Sequence, residues 1–337
     1  MHDIRLLSCK SGEHFANSIL KYLNDLLETN NHQKISITPI QETRFANSEI
    51  KSNILESIRG TNVFIVQDVS NSSNGMSVDD NIRALITLID AARVASARRI
   101  TVIIPVYPYA RQDKIWGREC LTARIIAKEL EMVGVSRVLT LDIHNPATAG
   151  FFDKAILENL YAKRAIRRYV VDNIPTDNLV ISSPDFGGMK RATEMASKLG
   201  VGVVSIYKER DYSKANCVET MELIGNVKNK DVLLVDDMLD TGGTLISAVK
   251  TLKEKGAKKV YFACSLGLLN GKAIERIDEL YKENILEKVI VTDAVFREPD
   301  FSETHPWLAI VPISDYFAKA IYCIQFKQSI NQMFDED

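Results

Sequence analysis

Short apolar runs alternate with longer stretches in which apolar residues return every three or four positions, and the alternation persists along almost the whole chain. In the first half, Val63–Gln67, Ile100–Ile104 and Val138–Leu141 predict buried strands, separated by helical periodicity near Ile82–Ala97 and Thr122–Gly134. In the second half the predicted strands are Leu179–Ser182, Val203–Tyr207, Val232–Val235, Val260–Cys264 and Val289–Val291. Runs that stay apolar on successive positions belong to strands covered on both faces, so the order strand, helix, strand predicts βαβ units. The expected fold class is α/β, with two domains that are each a mainly parallel sheet flanked by helices. No residue-level repeat is visible, so the doubling rests on element order alone.

Length agrees with two domains: 337 residues exceed the ~100–200 typical of one. The break is expected after Gly150-Phe151-Phe152, where Asp153 to Asn159 opens into a helix around Ala162–Val171. The expected division is 1–160 and 161–312, with 313–337 packing back on the first domain. Lys and Arg number 42 against 44 Asp and Glu, and the sequence pI is near 6.3. This balance gives no bulk attraction to nucleic acid or anionic membrane, so an anionic ligand must be held by local clusters. Five scattered cysteines without a Cys-x-x-Cys pair argue against a disulfide framework or zinc site and fit a reducing compartment. No secretory signal is visible, and Pro105 and Pro108 break the apolar stretch Ile100–Ala110, itself short of the ~18 residues of a membrane span. A soluble, cytoplasmic protein is expected.

The candidate chemistry gathers where predicted strands end. Val232–Val235 runs into Asp236-Asp237-Met-Leu-Asp240-Thr241-Gly242-Gly243-Thr244, after which Leu245, Ala248, Val249 and Leu252 recur at helical spacing until Gly256. At such a strand-to-helix junction, backbone N–H groups and the positive end of the helix dipole favour a phosphate, and the glycines allow close approach. Asp236 and Asp237, at the carboxyl end of the strand, are placed to accept hydrogen bonds from vicinal sugar hydroxyls. The ligand asked for is a phosphorylated sugar. The segment resembles the binding loop shared by phosphoribosyltransferases and ribose-phosphate pyrophosphokinases, in which Asp240 to Thr244 would hold the 5-phosphate and Asp236 and Asp237 the ribose. The loop alone does not separate the two families.

Four further segments bear on the choice. Tyr107-Pro-Tyr109-Ala-Arg111-Gln112-Asp113-Lys114 sets aromatics beside a guanidinium and an amide, a combination able to stack on a base and pair with phosphates. It resembles the Tyr-Ala-Arg-Gln-Asp segment of the pyrophosphokinases, which implies that Arg111 and Gln112 contact ATP. Asp142-Ile-His144-Asn145, with Gly150-Phe151-Phe152 beyond it, resembles the same family's metal and ATP site and implies His144 as a magnesium ligand. Ser183-Pro-Asp185-Phe-Gly-Gly188-Met-Lys190-Arg191 opens a helix with basic residues that oppose its dipole, a conflict hinting at a ligand; in the family Asp185 would be a second magnesium contact. Lys208-Glu-Arg210 follows the predicted strand ending at Tyr207 and leads into the polar segment Asp211–Glu219. It resembles the Lys-x-Arg pair that begins the family's catalytic lid.

Phe45-Ala-Asn47-Ser48-Glu49 resembles the family's adenine-binding Phe-x-Asp-Gly-Glu hairpin, with Asn47 and Ser48 in place of Asp and Gly. Ile115-Trp116-Gly117 likewise departs from a more basic stretch, and neither a Walker-type nor a dinucleotide glycine fingerprint occurs. The motifs fall in the family's order from Phe45 to Pro312-Ile-Ser314-Asp315-Tyr316. The resemblance therefore implies two phosphoribosyltransferase-like domains, Mg2+ as cofactor, and transfer of a diphosphoryl group from ATP to ribose 5-phosphate by Lys208 and Arg210. It also implies a homo-oligomer, dimers assembling to a hexamer. The alternatives are a phosphoribosyltransferase that consumes the same product and a non-catalytic regulatory subunit.

Overall fold

The structure is a computed structural model, and it describes residues 3–71, 75–210, 219–298 and 300–331. The chain forms two compact units: Met1–Tyr161 with Asp293–Arg297 and Pro312–Asp337, and Ala162–Thr292 with Glu298–Val311.

In the first unit the strands β1 (Ile4–Ser8), β4 (Asn62–Val66), β5 (Arg99–Ile103), β6 (Arg137–Leu141) and β7 (Ile156–Leu160) pair in the order β1-β4-β5-β6-β7, every pair parallel. Helices α1 (Glu13–Thr29), α2 (Val78–Val94) and α3 (Thr122–Met132) supply the crossovers. A separate antiparallel hairpin, β2 (Ile40–Arg44) and β3 (Ile50–Ile54), stands beside α2, joined to it by Arg44–Asp80 at 2.9 Å and Ser52–Thr87 at 3.0 Å. Ile65, Val102 and Val138 from the strands and Leu88 and Ile89 from α2 are fully buried in one core, each contributing roughly 1.5–3 kcal/mol. Ser77 caps α2 reciprocally with Asp80, which fixes where that helix begins.

The second unit has α4 (Lys163–Asn173), β8 (Leu179–Ser182), α5 (Met189–Leu199), β9 (Gly202–Val203), a hairpin of β10 (Ser205–Arg210) and β11 (Glu219–Ile224), β12 (Asp231–Leu239), α6 (Gly243–Glu254), β13 (Lys259–Gly267), α7 (Ala273–Lys282), β14 (Lys288–Thr292) and β15 (Leu308–Val311). Its main sheet is parallel throughout in the order β15-β14-β13-β12-β8-β9. Each unit is thus a helix-flanked parallel sheet, as the run pattern predicts.

Three details differ from the sequence reading. Val203–Tyr207 is not one strand: β9 ends at Val203 and β10 runs Ser205–Arg210 in an antiparallel hairpin, with Lys208 opposite Met221 and Arg210 opposite Glu219. Asp153–Asn159 does not simply lead into a helix, because Ile156–Leu160 is an edge strand of the first sheet. Finally, β12 does not stop at Val235 but continues to Leu239. Among the described residues, no helix is long and apolar enough to cross a membrane.

Candidate active site

The extension of β12 builds the sugar side of the site. Its pairing with β8 ends at Leu234 opposite Ser182, whereas its pairing with β13 continues through Asp236 opposite Cys264 to Leu239 opposite Gly267. Asp236 and Asp237 therefore lie inside a strand that is paired on one side only, at the carboxyl edge where β8 has already turned away. The N–H of Asp237 donates to Asp236 Oδ1 at 2.8 Å, and that of Met238 to Asp237 Oδ1 at 3.0 Å. Asp237 is buried and Asp236 half-buried. Burial and the neighbouring Asp237 charge push the Asp236 carboxyl up to about 8, against the pull of Arg191. Behind them the buried Cys264 thiol is pushed up by burial and by the same two acids.

Past the strand, Asp240 is braced by Asn270, whose Nδ2 donates to Oδ1 at 2.9 Å and whose N–H donates to the Asp240 carbonyl at 3.0 Å. Arg276 Nη1 donates to the Thr241 carbonyl at 3.2 Å. Gly242 occupies the N-cap of α6 at φ +77°, a left-handed conformation that only glycine adopts cheaply, and no side chain caps the helix. The first-turn N–H groups from Gly243 onward have no acceptor within the helix, so the junction presents donors to an anion.

Between β8 and α5, Asp185 folds back so that its Oδ1 accepts the Gly188 N–H at 3.1 Å. A Cβ on Gly188 would stand 2.1 Å from Ser183 Oγ, so any larger residue there would force that hydroxyl to turn away. The basic first turn of α5 finds its reason here: Arg191 Nη1 donates to Asp236 Oδ1 at 3.3 Å. Lys208 and Arg210 have their backbones on β10, but their side chains fall outside the described set, as do residues 211–218 of the expected lid Asp211–Glu219, whose last residue opens β11. The acidic tail Phe334–Asp337 also lies outside the described residues.

The expected ATP residues lie in the first unit, and part of them share one support. Tyr109 Oη donates to Asp79 Oδ1 at 2.5 Å, and Arg44 of the β2–β3 hairpin pairs with Asp80, so both segments meet at the first turn of α2. Arg111 and Gln112 follow as exposed side chains, and the Gln112 N–H closes the turn onto the Tyr109 carbonyl at 2.8 Å. The next residue, buried Asp113, accepts from Asn145 Nδ2 at 2.6 Å. Asn145 neighbours exposed His144, so this bond ties the loop after β6 to the loop after β5. The structure thus brings Arg111, Gln112 and His144 onto adjoining loops.

Tyr107 is buried and donates to the Ala123 carbonyl at 3.0 Å, while half-buried Tyr109 has its phenol raised to about 12 by the Asp79 bond. Phe45, at the tip of the hairpin, is 46% exposed. There the Glu49 N–H donates to Asn47 Oδ1 at 3.2 Å, and Ser48 takes φ +71° where the family pattern has glycine. Sequence reasoning gives no role to Asn270 or Asn145, and it marks Arg191 only as a cation at the wrong end of a helix dipole.

Comparison with known proteins covers both units. The family profile described as the N-terminal domain of ribose phosphate pyrophosphokinase matches residues 4–134, and that of the phosphoribosyl transferase domain matches residues 154–297. A ribose-phosphate pyrophosphokinase of Chlorobaculum tepidum is 40% identical over 336 residues, covering 98% of this chain and 95% of its own. Ribose-phosphate pyrophosphokinase 2 of Schizosaccharomyces pombe is 42% identical over 303 residues, covering 89% and 90%. In three dimensions the phosphoribosylpyrophosphate synthetase of Mycobacterium smegmatis superposes with a TM-score of 0.83 at 31% identity, covering 96% of this chain and 99% of that one. With strand order, junction chemistry and near-full-length similarity in agreement, the chain belongs to the ribose-phosphate pyrophosphokinase family.

Proposed function

We propose that this protein transfers the β,γ-diphosphoryl group of ATP to the C1 hydroxyl of ribose 5-phosphate, giving phosphoribosyl pyrophosphate and AMP. The junction of β12 with α6 carries the reading: adjacent Asp236 and Asp237 lead within a few residues to a helix start that no side chain caps. A ligand with vicinal hydroxyls at one end and a phosphate at the other matches that spacing of acceptors and donors.

In this reading Asp236 and Asp237 accept from the ribose hydroxyls. Asp240, Thr241, Gly242, Gly243 and Thr244 cradle the 5-phosphate through N–H groups and hydroxyls. Phe45 packs against the base, Asn47 and Glu49 meet its polar edge, and Arg111 and Gln112 bind the polyphosphate. Phosphoryl transfer asks little covalent help of the protein, so the work is positioning and charge neutralisation. Lys208 and Arg210 place positive charge on the transferring oxygens, a contribution that for a positioned cation reaches ~10³–10⁵ in rate.

Mg2+ fits as the cofactor, since it commonly takes one or two protein ligands and fills its sphere with phosphate oxygens and water. No group of three or more His, Cys, Asp or Glu is arranged for a metal among the described residues, but exposed His144 of the first unit and half-buried Asp185 of the second are each of the ligand type that sparser demand takes. When bound, it would supply charge neutralisation on the phosphates.

The same reading takes 1–160 with 313–337 as the ATP-side domain and 161–312 as the sugar-phosphate domain, in a cytoplasmic homo-oligomer built from dimers to a hexamer. Among the described residues, Cys9, Cys120, Cys264 and Cys323 are in no disulfide, which suits that reducing compartment. Calorimetric titration tests the central assignment: wild-type protein should bind ribose 5-phosphate well above ribose, and Asp237→Asn should weaken it at least ~10-fold. Equal affinity in the two proteins would remove the acid from the sugar site.

A further inference from the structure

Two acids side by side on one strand need a reason to coexist, and the structure supplies one from outside the strand. Asp236 and Asp237 are flanked on β13 by the buried Cys264, an uncharged thiol that offers no compensation. On the other side β8 ends at Ser182, and Ser183 follows it without charge. The cation that reaches Asp236 comes from α5: Arg191 Nη1 lies 3.3 Å from Oδ1, with the guanidinium 34% and the carboxylate 22% exposed. The turn that aims α5 is held by Asp185, which accepts the Gly188 N–H at 3.1 Å, and Ser183 Oγ packs close against Gly188. Arg191 also sits where a helix dipole disfavours a cation, so this local cost must be offset by its partner.

We infer that Arg191 is a positioning residue for the sugar site, its guanidinium holding the Asp236 carboxylate in place and providing the countercharge that lets two adjacent acids face the ribose hydroxyls. The inference rests on the proposed sugar role of Asp236 and adds a residue that favours the ionised acid which that role requires. The turn that carries Arg191 also carries Asp185, so the geometry of the expected metal ligand and of the sugar acid descend from the same few residues.

Steady-state kinetics with ribose 5-phosphate as the varied substrate test this in wild type, Arg191→Met, Arg191→Lys, Asp236→Asn and the double variant R191M/D236N, each checked for a cooperative thermal transition. Arg191→Met should raise KM for ribose 5-phosphate ~10-fold or more with kcat within about threefold, as a partly buried charge-assisted bond lost from binding alone requires. The acid limb of its kcat/KM profile should move about one pH unit upward, since Asp236 loses its opposite charge. Arg191→Lys should recover part of both effects. In the Asp236→Asn background the same Met substitution should cost less than about threefold, because the partner is gone. Equal losses in both backgrounds, or an unmoved acid limb, overturn the inference while leaving an active pyrophosphokinase. Should Arg191→Met fail to fold, Arg191→Lys in the two backgrounds carries the same comparison. A wild-type protein that forms no AMP overturns the underlying reading and this inference with it.

Discussion

Replacing Asp236 by asparagine should make the ligand-free protein more stable, and increasingly so as pH rises. The Asp236 carboxyl titrates at about 8 in the fold against an ordinary 3.8, through burial first and the Asp237 charge second. A carboxyl raised in this way stabilises the fold fully below its ordinary value and loses that contribution as pH climbs toward the folded value. At 1.36 kcal/mol per pH unit, carrying the charge at pH 8 costs the folded state at most ~6 kcal/mol, and at pH 5 less than ~2 kcal/mol. Two features reduce the ceiling. The side chain keeps 22% of its surface exposed, so water screens the pair, and neutralising it leaves Arg191 without its 3.3 Å partner. A gain of ~1–3 kcal/mol at pH 8 is expected, which for a unit of this size corresponds to about 3–8 °C in Tm. Thermal unfolding by calorimetry at pH 5 and pH 8 measures it. A gain equal at both pH values, or a loss at pH 8, would refute the reasoning, because only a penalty tied to the charge grows across that window.

Gly242→Ala has room for its methyl, with the nearest atom 3.7 Å away, so its cost of ~1–2 kcal/mol should be pure backbone strain at φ +77° and should appear in both Tm and ribose 5-phosphate affinity. In the hairpin tip, Ser48→Gly relieves φ +71° and should raise stability by ~0.5–1 kcal/mol without altering the Asn47–Glu49 bond; an unchanged or lower denaturation midpoint counts against it. Lys208→Ala should lower kcat by ~10³ or more while leaving ribose 5-phosphate binding within about twofold, and an unchanged kcat removes the cation from the transfer step. His144→Ala should move the magnesium dependence of the rate to higher concentration, and superimposable metal titrations would take it out of the metal site.

Much of the fold is legible because strands of a parallel sheet covered on both faces read as unbroken apolar runs. Leu179–Ser182 falls on its predicted limits, and the runs beginning at Val63, Ile100 and Val138 shift by a single residue. The exposed strands give no such run. Ile40–Arg44, Ile50–Ile54 and Ile156–Leu160 mix apolar with polar residues over five positions, too few to stand out from a loop. Helix α1 carries a legible pattern, since Phe15, Ile19, Leu23 and Leu27 recur at helical spacing on its buried face. The end of β12 differs from its apolar run for a chemical reason: adjacent acids read as a strand end, whereas pairing with β13 carries the strand three residues beyond Asp236. Within the site, residues that meet the ligand chemistry are visible as motifs, but those that support them are not. Asn270 and Asn145 act through bonds to Asp240 and Asp113, 30 and 32 residues away in sequence, and nothing local marks them.

A ribose-phosphate pyrophosphokinase transfers a diphosphoryl rather than a phosphoryl group, and the products of the two reactions differ. Phosphorus NMR of the purified protein incubated with ATP, ribose 5-phosphate and magnesium reads the outcome directly. The account predicts AMP and phosphoribosyl pyrophosphate appearing in equal amounts, dependent on both substrates. Formation of ADP with a phosphorylated ribose, or no consumption of ATP, would contradict it.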